Sequence, residues 1–181
     1  MAIRHDGTKA TTKKAVWWDG GIHAREWISP ATVIYIAYAF LSKYGQDPTI
    51  THLVDQFDCY ILPVFNVDGY AYTWTKAYTT MKPSQFKLQD DGSIQAINAL
   101  AAVHGTQYQH DNIAQTIYVA SGSTVDWTYG TANVIFSYGV ELRDTGKYGF
   151  LLPEDQIIPS GEETLAGLLA LLQYIEKQVY V

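Results

Sequence analysis

Apolar positions along this chain fall alternately into short continuous runs and helical stripes. Ala15–Trp18 is apolar throughout and stops at Asp19-Gly20-Gly21, which predicts a short buried strand ended by a turn. Ser29-Pro30 then supplies a predicted N-cap with proline at the first helical position. From there to about Lys43 the apolar residues recur at helical spacing, and Gly45 stands where a C-terminal cap belongs. Asp47-Pro48 opens a shorter helix through Leu53. Cys59–Phe65 reads as an apolar strand closed by Asn66-Val67-Asp68-Gly69. Ser93–His104 predicts a helix with Ile94, Ile97, Leu100 and Ala101 on one face. Ile117–Ala120 and Ile135–Leu142 read as strands, and Glu163 to about Gln178 as a closing amphipathic helix.

Strands alternating with helices imply an α/β fold, a mixed and mainly parallel sheet with helices on both faces. Residues 1–14 are polar and read as a disordered or frayed lead-in, leaving residues 15–181 as one domain. Sites in open sheets of this kind form at the carboxyl edge of the strands. His23 and Glu26 follow the first predicted strand and Glu141 lies near the end of the last, so ordinary sheet geometry brings the three to one edge.

Composition narrows the function classes. A net charge of -6 argues against nucleic acid and against anionic membrane surfaces, both of which reward clustered Lys and Arg. No apolar run approaches the roughly 20 residues that span a bilayer, and the polar start lacks the apolar segment of a signal peptide. The single cysteine, Cys59, excludes an internal disulfide and reads as a buried small hydrophobe.

The candidate chemistry centres on His23-Ala-Arg-Glu26, directly after the Gly20-Gly21 turn. An imidazole nitrogen and a carboxylate oxygen three positions apart are donors that suit Zn²⁺, and a hydrolytic zinc needs three protein ligands and an open position. Taken alone the spacing is weak, since an exposed pair at a helix N-terminus would look the same. Glu141 ends the apolar run IFSYGV, where a carboxylate is costly unless paired, bound to a metal, or used with a raised pKa. A salt bridge with Arg143, on the same face of a strand, is the plain alternative.

GGIHAREWISP, LPVFNVDGYAYTWT, and the pair IYVASGSTVDW and VELRDTGKYGFLLPEDQIIP resemble, in this order, the zinc metallocarboxypeptidases of the pancreatic carboxypeptidase A/B type. The resemblance runs over residues 15–181 with one internal gap. It implies a carboxypeptidase-like fold, a Zn²⁺ held in part by His23 and Glu26, and removal of C-terminal residues from peptides and proteins. It makes Glu141 the general base, Arg25 a contact to the substrate backbone, Tyr118 the tyrosine that closes over substrate, and Phe150 an aromatic at the cleft rim. Val125 matches the bottom of the specificity pocket, where a branched apolar side chain favours aromatic or aliphatic residues. The plain readings are core packing for Tyr118 and Phe150, and a strand-end hydrogen-bond acceptor for Asp126. A secreted, monomeric protein is implied as well.

Two parts of the family pattern are missing. Its third zinc ligand is a histidine on a central strand, in a His-Ser-Tyr context that nothing here matches. His5, His52, His104 and His110 read as solvent-facing; His104 or His110 as a third ligand would define a different metalloenzyme. The arginines are Arg4, Arg25 and Arg143, with none between Lys76 and Val140, although the family needs others for the oxyanion and the substrate carboxylate. An internal block bearing part of the central sheet therefore reads as cut out, and the part before the first motif as shortened. A carboxypeptidase with little or no activity, a non-catalytic peptide-binding remnant and a non-functional fragment remain as readings.

Overall fold

A computed structural model describes Ala2–Ile3 and residues 13–74, 91–110 and 124–178. The chain divides into two compact units, Met1–Lys82 with Arg143–Leu165, and Pro83–Leu142 with Ala166–Val181. Among the described residues no helix is long and apolar enough to cross a membrane.

The first unit is built on a three-stranded sheet of β1 (Ala2–Ile3), β2 (Lys14–Asp19) and β3 (Phe57–Leu62), in the order β1-β3-β2. β2 runs parallel to β3, with Val16 opposite Cys59 and Trp18 opposite Ile61; β1 runs antiparallel to β3. Two helices, α1 (Ile28–Lys43) and α2 (Pro48–Gln56), make the crossover that a parallel pair requires. The sheet is thus mixed and α/β in character, as the alternation of elements predicts. Phe57, Cys59 and Ile61 are each 3% exposed. On the same face the Trp18 ring meets Phe40 of α1 edge-on, centroids 5.2 Å apart. Val33, Ile36, Phe40, Ile50 and Leu53 complete this core. Trp17, pointing to the opposite face of β2, is 58% exposed.

Local chemistry explains where these elements begin and end. Asp47 caps α2 by accepting from Thr49 N–H at 2.9 Å and Ile50 N–H at 3.1 Å. Gly45 has φ +76, as expected just beyond the end of α1. Ser29 departs from its expected role. α1 starts at Ile28 without a side-chain cap, and the Ser29 hydroxyl instead accepts from the Gly21 N–H at 3.1 Å. β3 covers Phe57–Leu62 rather than Cys59–Phe65, because Pro63 has no N–H to continue the ladder. Asn66-Val67-Asp68-Gly69 is no simple turn: Asn66 caps a further helix, α3 (Val67–Thr73).

In the second unit α4 (Asp91–His104) packs against the later part of α6 (Ile157–Lys177). A Cβ at Gly92 would fall 2.6 Å from the Tyr174 ring, and one at Gly167 would fall 3.0 Å from the Ala96 carbonyl. The buried stripe of α4 therefore holds Gly92, Ser93 and Leu100, while Ile94, expected inside, is 38% exposed. α6 begins six residues before Glu163, the expected start. Residues 135–142 are irregular rather than a strand, and Ile135 and Val140 are well exposed. With no strand there, the alternation that would place Glu141 and Arg143 on one face is absent. A short helix, α5 (Thr124–Gly130), precedes this segment. The expected strand Ile117–Ala120 lies outside the described residues.

Candidate metal and peptide-binding site

The turn that carries His23 and Glu26 is held by the backbone before it and after β3. Gly21 has φ +70, a conformation open to glycine at little cost. Gly20 N–H donates to the Leu62 carbonyl at 3.1 Å, and Phe65 N–H returns a bond to the Gly20 carbonyl at 2.8 Å. Asn66 ties the two segments together: its Nδ2 donates to the Ile22 carbonyl at 3.3 Å while its Oδ1 accepts from Gly69 N–H at 2.9 Å. Gly69 allows α3 to approach closely, since a Cβ there would fall 2.7 Å from the Ala24 methyl. Glu26 N–H bonds the His23 carbonyl and Ser29 N–H bonds the Glu26 carbonyl, each at 3.0 Å, which carries the chain into α1. His23-Ala-Arg-Glu26 therefore sits at the carboxyl end of β2, where the sheet argument places it.

Within that turn His23 Nδ1 lies 3.2 Å from Glu26 Oε2, with the side chains 48% and 19% exposed. Two donors on one tetrahedral zinc are about 3.3 Å apart when each bond is near 2.05 Å, so the pair has the spacing to share an ion. Among the described residues, the donor set nevertheless falls short of a catalytic zinc site. Among the described residues no group of three or more His, Cys, Asp or Glu is arranged to hold a metal, whereas such a site takes three protein ligands. His52 is exposed on α2, and His104 is exposed at the end of α4.

Arg25 and Phe150 come together. The guanidinium carbon lies 4.1 Å from the ring centroid, a cation–π contact between two residues singled out separately from the sequence. The Arg25 indicated for the substrate backbone is thus held against the aromatic indicated for the rim. Val125 is half-buried in the first turn of α5, and Asp126 also lies in that helix rather than at a strand end. Glu141 is half-buried in the irregular segment of the second unit. Tyr118 lies outside the described residues.

Arg143 has a partner other than Glu141. Its Nε and Nη2 donate to the two carboxylate oxygens of Glu163 at 2.7 and 2.6 Å, and Nη1 donates to Gln156 Oε1 at 2.8 Å. Glu163 is fully buried, so Arg143 and Glu163 form a buried ion pair. An aromatic group beside the turn was also missed. Trp27 stacks on Trp74 with centroids 4.3 Å apart, donates to Thr73 Oγ1 at 3.0 Å, and has Tyr70 alongside. The recurrence of Tyr70, Tyr72 and Trp74 next to the helix-capping Asn66 is the signal that could have found it.

The model of the zinc carboxypeptidase family matches residues 1–90 and 78–167 of this chain, and the chain belongs to that family. It is 30% identical to mouse carboxypeptidase A2 over 252 residues, covering 93% of this chain and 60% of that protein. It is 30% identical to carboxypeptidase B of Astacus astacus over 262 residues, covering 97% of this chain and 86% of the relative. A crystal structure of thrombin activatable fibrinolysis inhibitor superposes with a TM-score of 0.82 at 27% identity, covering 95% of this chain and 64% of that one. The chain spans about 60% of the length of the mouse relative. An alignment of 252 positions exceeds a chain of 181 residues, so a substantial part of the relative faces no residue here.

Proposed function

We propose that this chain derives from a zinc-dependent carboxypeptidase acting on peptide and protein C-termini, and that its own hydrolytic activity is lost or nearly so. The observation that carries the proposal is the His23–Glu26 pair: two donors 3.2 Å apart on a well-tied turn, with no three-donor group among the described residues. Two side chains make a poor zinc cage. The missing arginines add to the deficit, since losing a single oxyanion donor slows a reaction by about a hundred- to a thousand-fold.

In this reading His23 and Glu26 are the surviving metal donors and Glu141 is the group that once took and returned the proton. Arg25, Tyr118, Val125 and Phe150 belong to the substrate side, with Val125 favouring aromatic or aliphatic C-terminal residues. Resemblance alone supports a secreted setting.

A second reading, a peptide-binding remnant, is favoured by the Arg25–Phe150 contact and the partly exposed Trp27–Trp74 stack. Both are suited to gripping a peptide without cutting it.

One experiment separates these readings. The purified chain is incubated with a blocked dipeptide ending in phenylalanine, with and without zinc and chelator, beside Glu141→Gln. Binding of the same dipeptide is followed by calorimetry. A folded chain that releases no phenylalanine supports the proposal, and measurable binding then selects the remnant reading. Chelator-sensitive release that vanishes in Glu141→Gln would sink the proposal, because a complete site would have to exist.

A further inference from the structure

Residues 143–150, which carry Phe150 to Arg25, form neither helix nor strand. Both ends of this contact belong to the first unit. Side chains hold the loop in place of regular structure. Arg143 ties its start to Glu163 and Gln156. The next residue, Asp144, uses both carboxylate oxygens: Oδ1 accepts from Gly146 N–H at 2.9 Å and Oδ2 from Tyr148 N–H at 3.0 Å. The Tyr148 carbonyl accepts in turn from Leu151 N–H at 3.1 Å, and Gly149, at φ +58, turns the chain between them. Phe150 follows directly, its ring centroid 4.1 Å from the Arg25 guanidinium carbon. Bonds from backbone N–H groups to an ionised carboxylate are stronger than neutral ones, which suits Asp144 to fix a loop of this kind.

We propose that Asp144 is a positioning residue for the peptide site: its carboxylate closes the loop that sets Phe150 against Arg25, so the guanidinium is oriented before a peptide arrives. The proposal rests on the peptide-binding reading of Arg25 and Phe150 given above. An arginine side chain loses much rotamer freedom when a ligand fixes it, and ordering it in advance removes that cost from binding. A ring against one face of the guanidinium does this, while the N–H donors lie in the guanidinium plane, around its edge. A carboxylate that only closed a turn would reach binding through overall stability alone. One that acts through Phe150 has no effect left to exert once Phe150 is gone, and that difference can be measured.

Side-chain NMR of the full chain, followed by calorimetry with the blocked dipeptide ending in phenylalanine, tests the proposal. A proton above an aromatic ring resonates upfield, and with three arginines in the chain the Arg25 Nε–H signal is assigned by its loss in Arg25→Lys. Phe150→Leu is expected to move that signal downfield and Asp144→Ala to move it to the same place. Asp144→Asn, which keeps one acceptor oxygen, is expected to move it part of the way. The Arg143 Nε–H signal, held by Glu163, stays in place while a variant is folded; should Asp144→Ala lose it, Asp144→Asn decides by the same two signals. Dipeptide binding is expected to weaken about two- to fivefold, the worth of a cation–π contact at a part-exposed site, in Phe150→Leu, in Asp144→Ala and in the double variant alike. An Arg25 signal unmoved by Asp144→Ala, or a double variant that binds more weakly than Phe150→Leu, would overturn the proposal. A wild type that binds no dipeptide would sink the peptide-binding reading instead, and the Arg25 signal would still decide whether Asp144 sets Phe150.

Discussion

Arg143 and Glu163 offer a sharp test of what holds the stretch Arg143–Leu165 together within the first unit. Glu163 is fully buried and accepts two bonds from Arg143, at 2.7 and 2.6 Å; the Arg143 side chain is 15% exposed and bonds Gln156 as well. A buried pair contributes less than its short bonds suggest, because both charges have lost their water. Removing one partner is a different matter, since the other stays buried and loses its ion pair. Arg143→Met is expected to cost about 3–5 kcal/mol on that ground, a large share of the roughly 5–15 kcal/mol that holds a typical protein folded. Glu163→Gln keeps one acceptor and removes the charge, so about 2–3 kcal/mol is expected.

Urea unfolding followed by the fluorescence of the five tryptophans reads these values. For Arg143→Met the midpoint falls by about 2 M at an ordinary urea dependence. The double change Arg143→Met with Glu163→Leu returns to within about 1 kcal/mol of wild type, since an apolar pair replaces a buried ionic one at little cost. A deficit below about 1 kcal/mol for Arg143→Met, the range of exposed pairs, or a double variant as unstable as the single, would refute the reasoning.

Three further outcomes are expected. Burial, with a smaller contribution from Asp58, pushes the Cys59 thiol up to about 11. Its folded pKa lies above the unfolded value, so this stability is complete at neutral pH and is lost as pH rises from about 8.5 towards 11; alkylation at pH 8 should proceed only as fast as the chain opens. Asp47→Ala removes the cap on Thr49 and Ile50 and lowers stability by about 1 kcal/mol in the same urea assay. Inserting the stretch of mouse carboxypeptidase A2 that faces no residue of this chain should yield a protein that retains one zinc through dialysis and releases C-terminal phenylalanine, and a metal-free insertion product would count against the assigned donors.

What could be read from the sequence was local. The Asp47 cap, the end of β2 at Asp19-Gly20-Gly21, and the His23–Glu26 pairing each depend on residues within a few positions of one another. Ser29 looked like a cap by the same local logic, but tertiary contact gave its hydroxyl to Gly21 N–H, eight positions away. Residues 135–142 show the limit of an apolar run, whose period alone does not distinguish a strand from an extended irregular segment. Glu163 as the partner of Arg143 lies twenty positions away with no local mark. Arg25 and Phe150 were linked only by family resemblance; the contact between a guanidinium and a ring at 4.1 Å is a tertiary fact.

The short donor set among the described residues is consistent with what the alignment leaves out. The family match falls in two stretches, 1–90 and 78–167, and the alignment with the mouse relative is longer than this chain. Part of the relative that faces no residue here is therefore interior to the alignment. Loss of helical decoration would shorten an alignment without exposing a strand, and loss of a surface loop would leave the donors intact. Here the turn after β2 keeps two donors in register for one ion while β2 itself has no outer neighbour among the described residues. On the function proposed above, a segment that brought a further donor to the carboxyl end of the sheet would complete the set, since that end is where His23 and Glu26 stand.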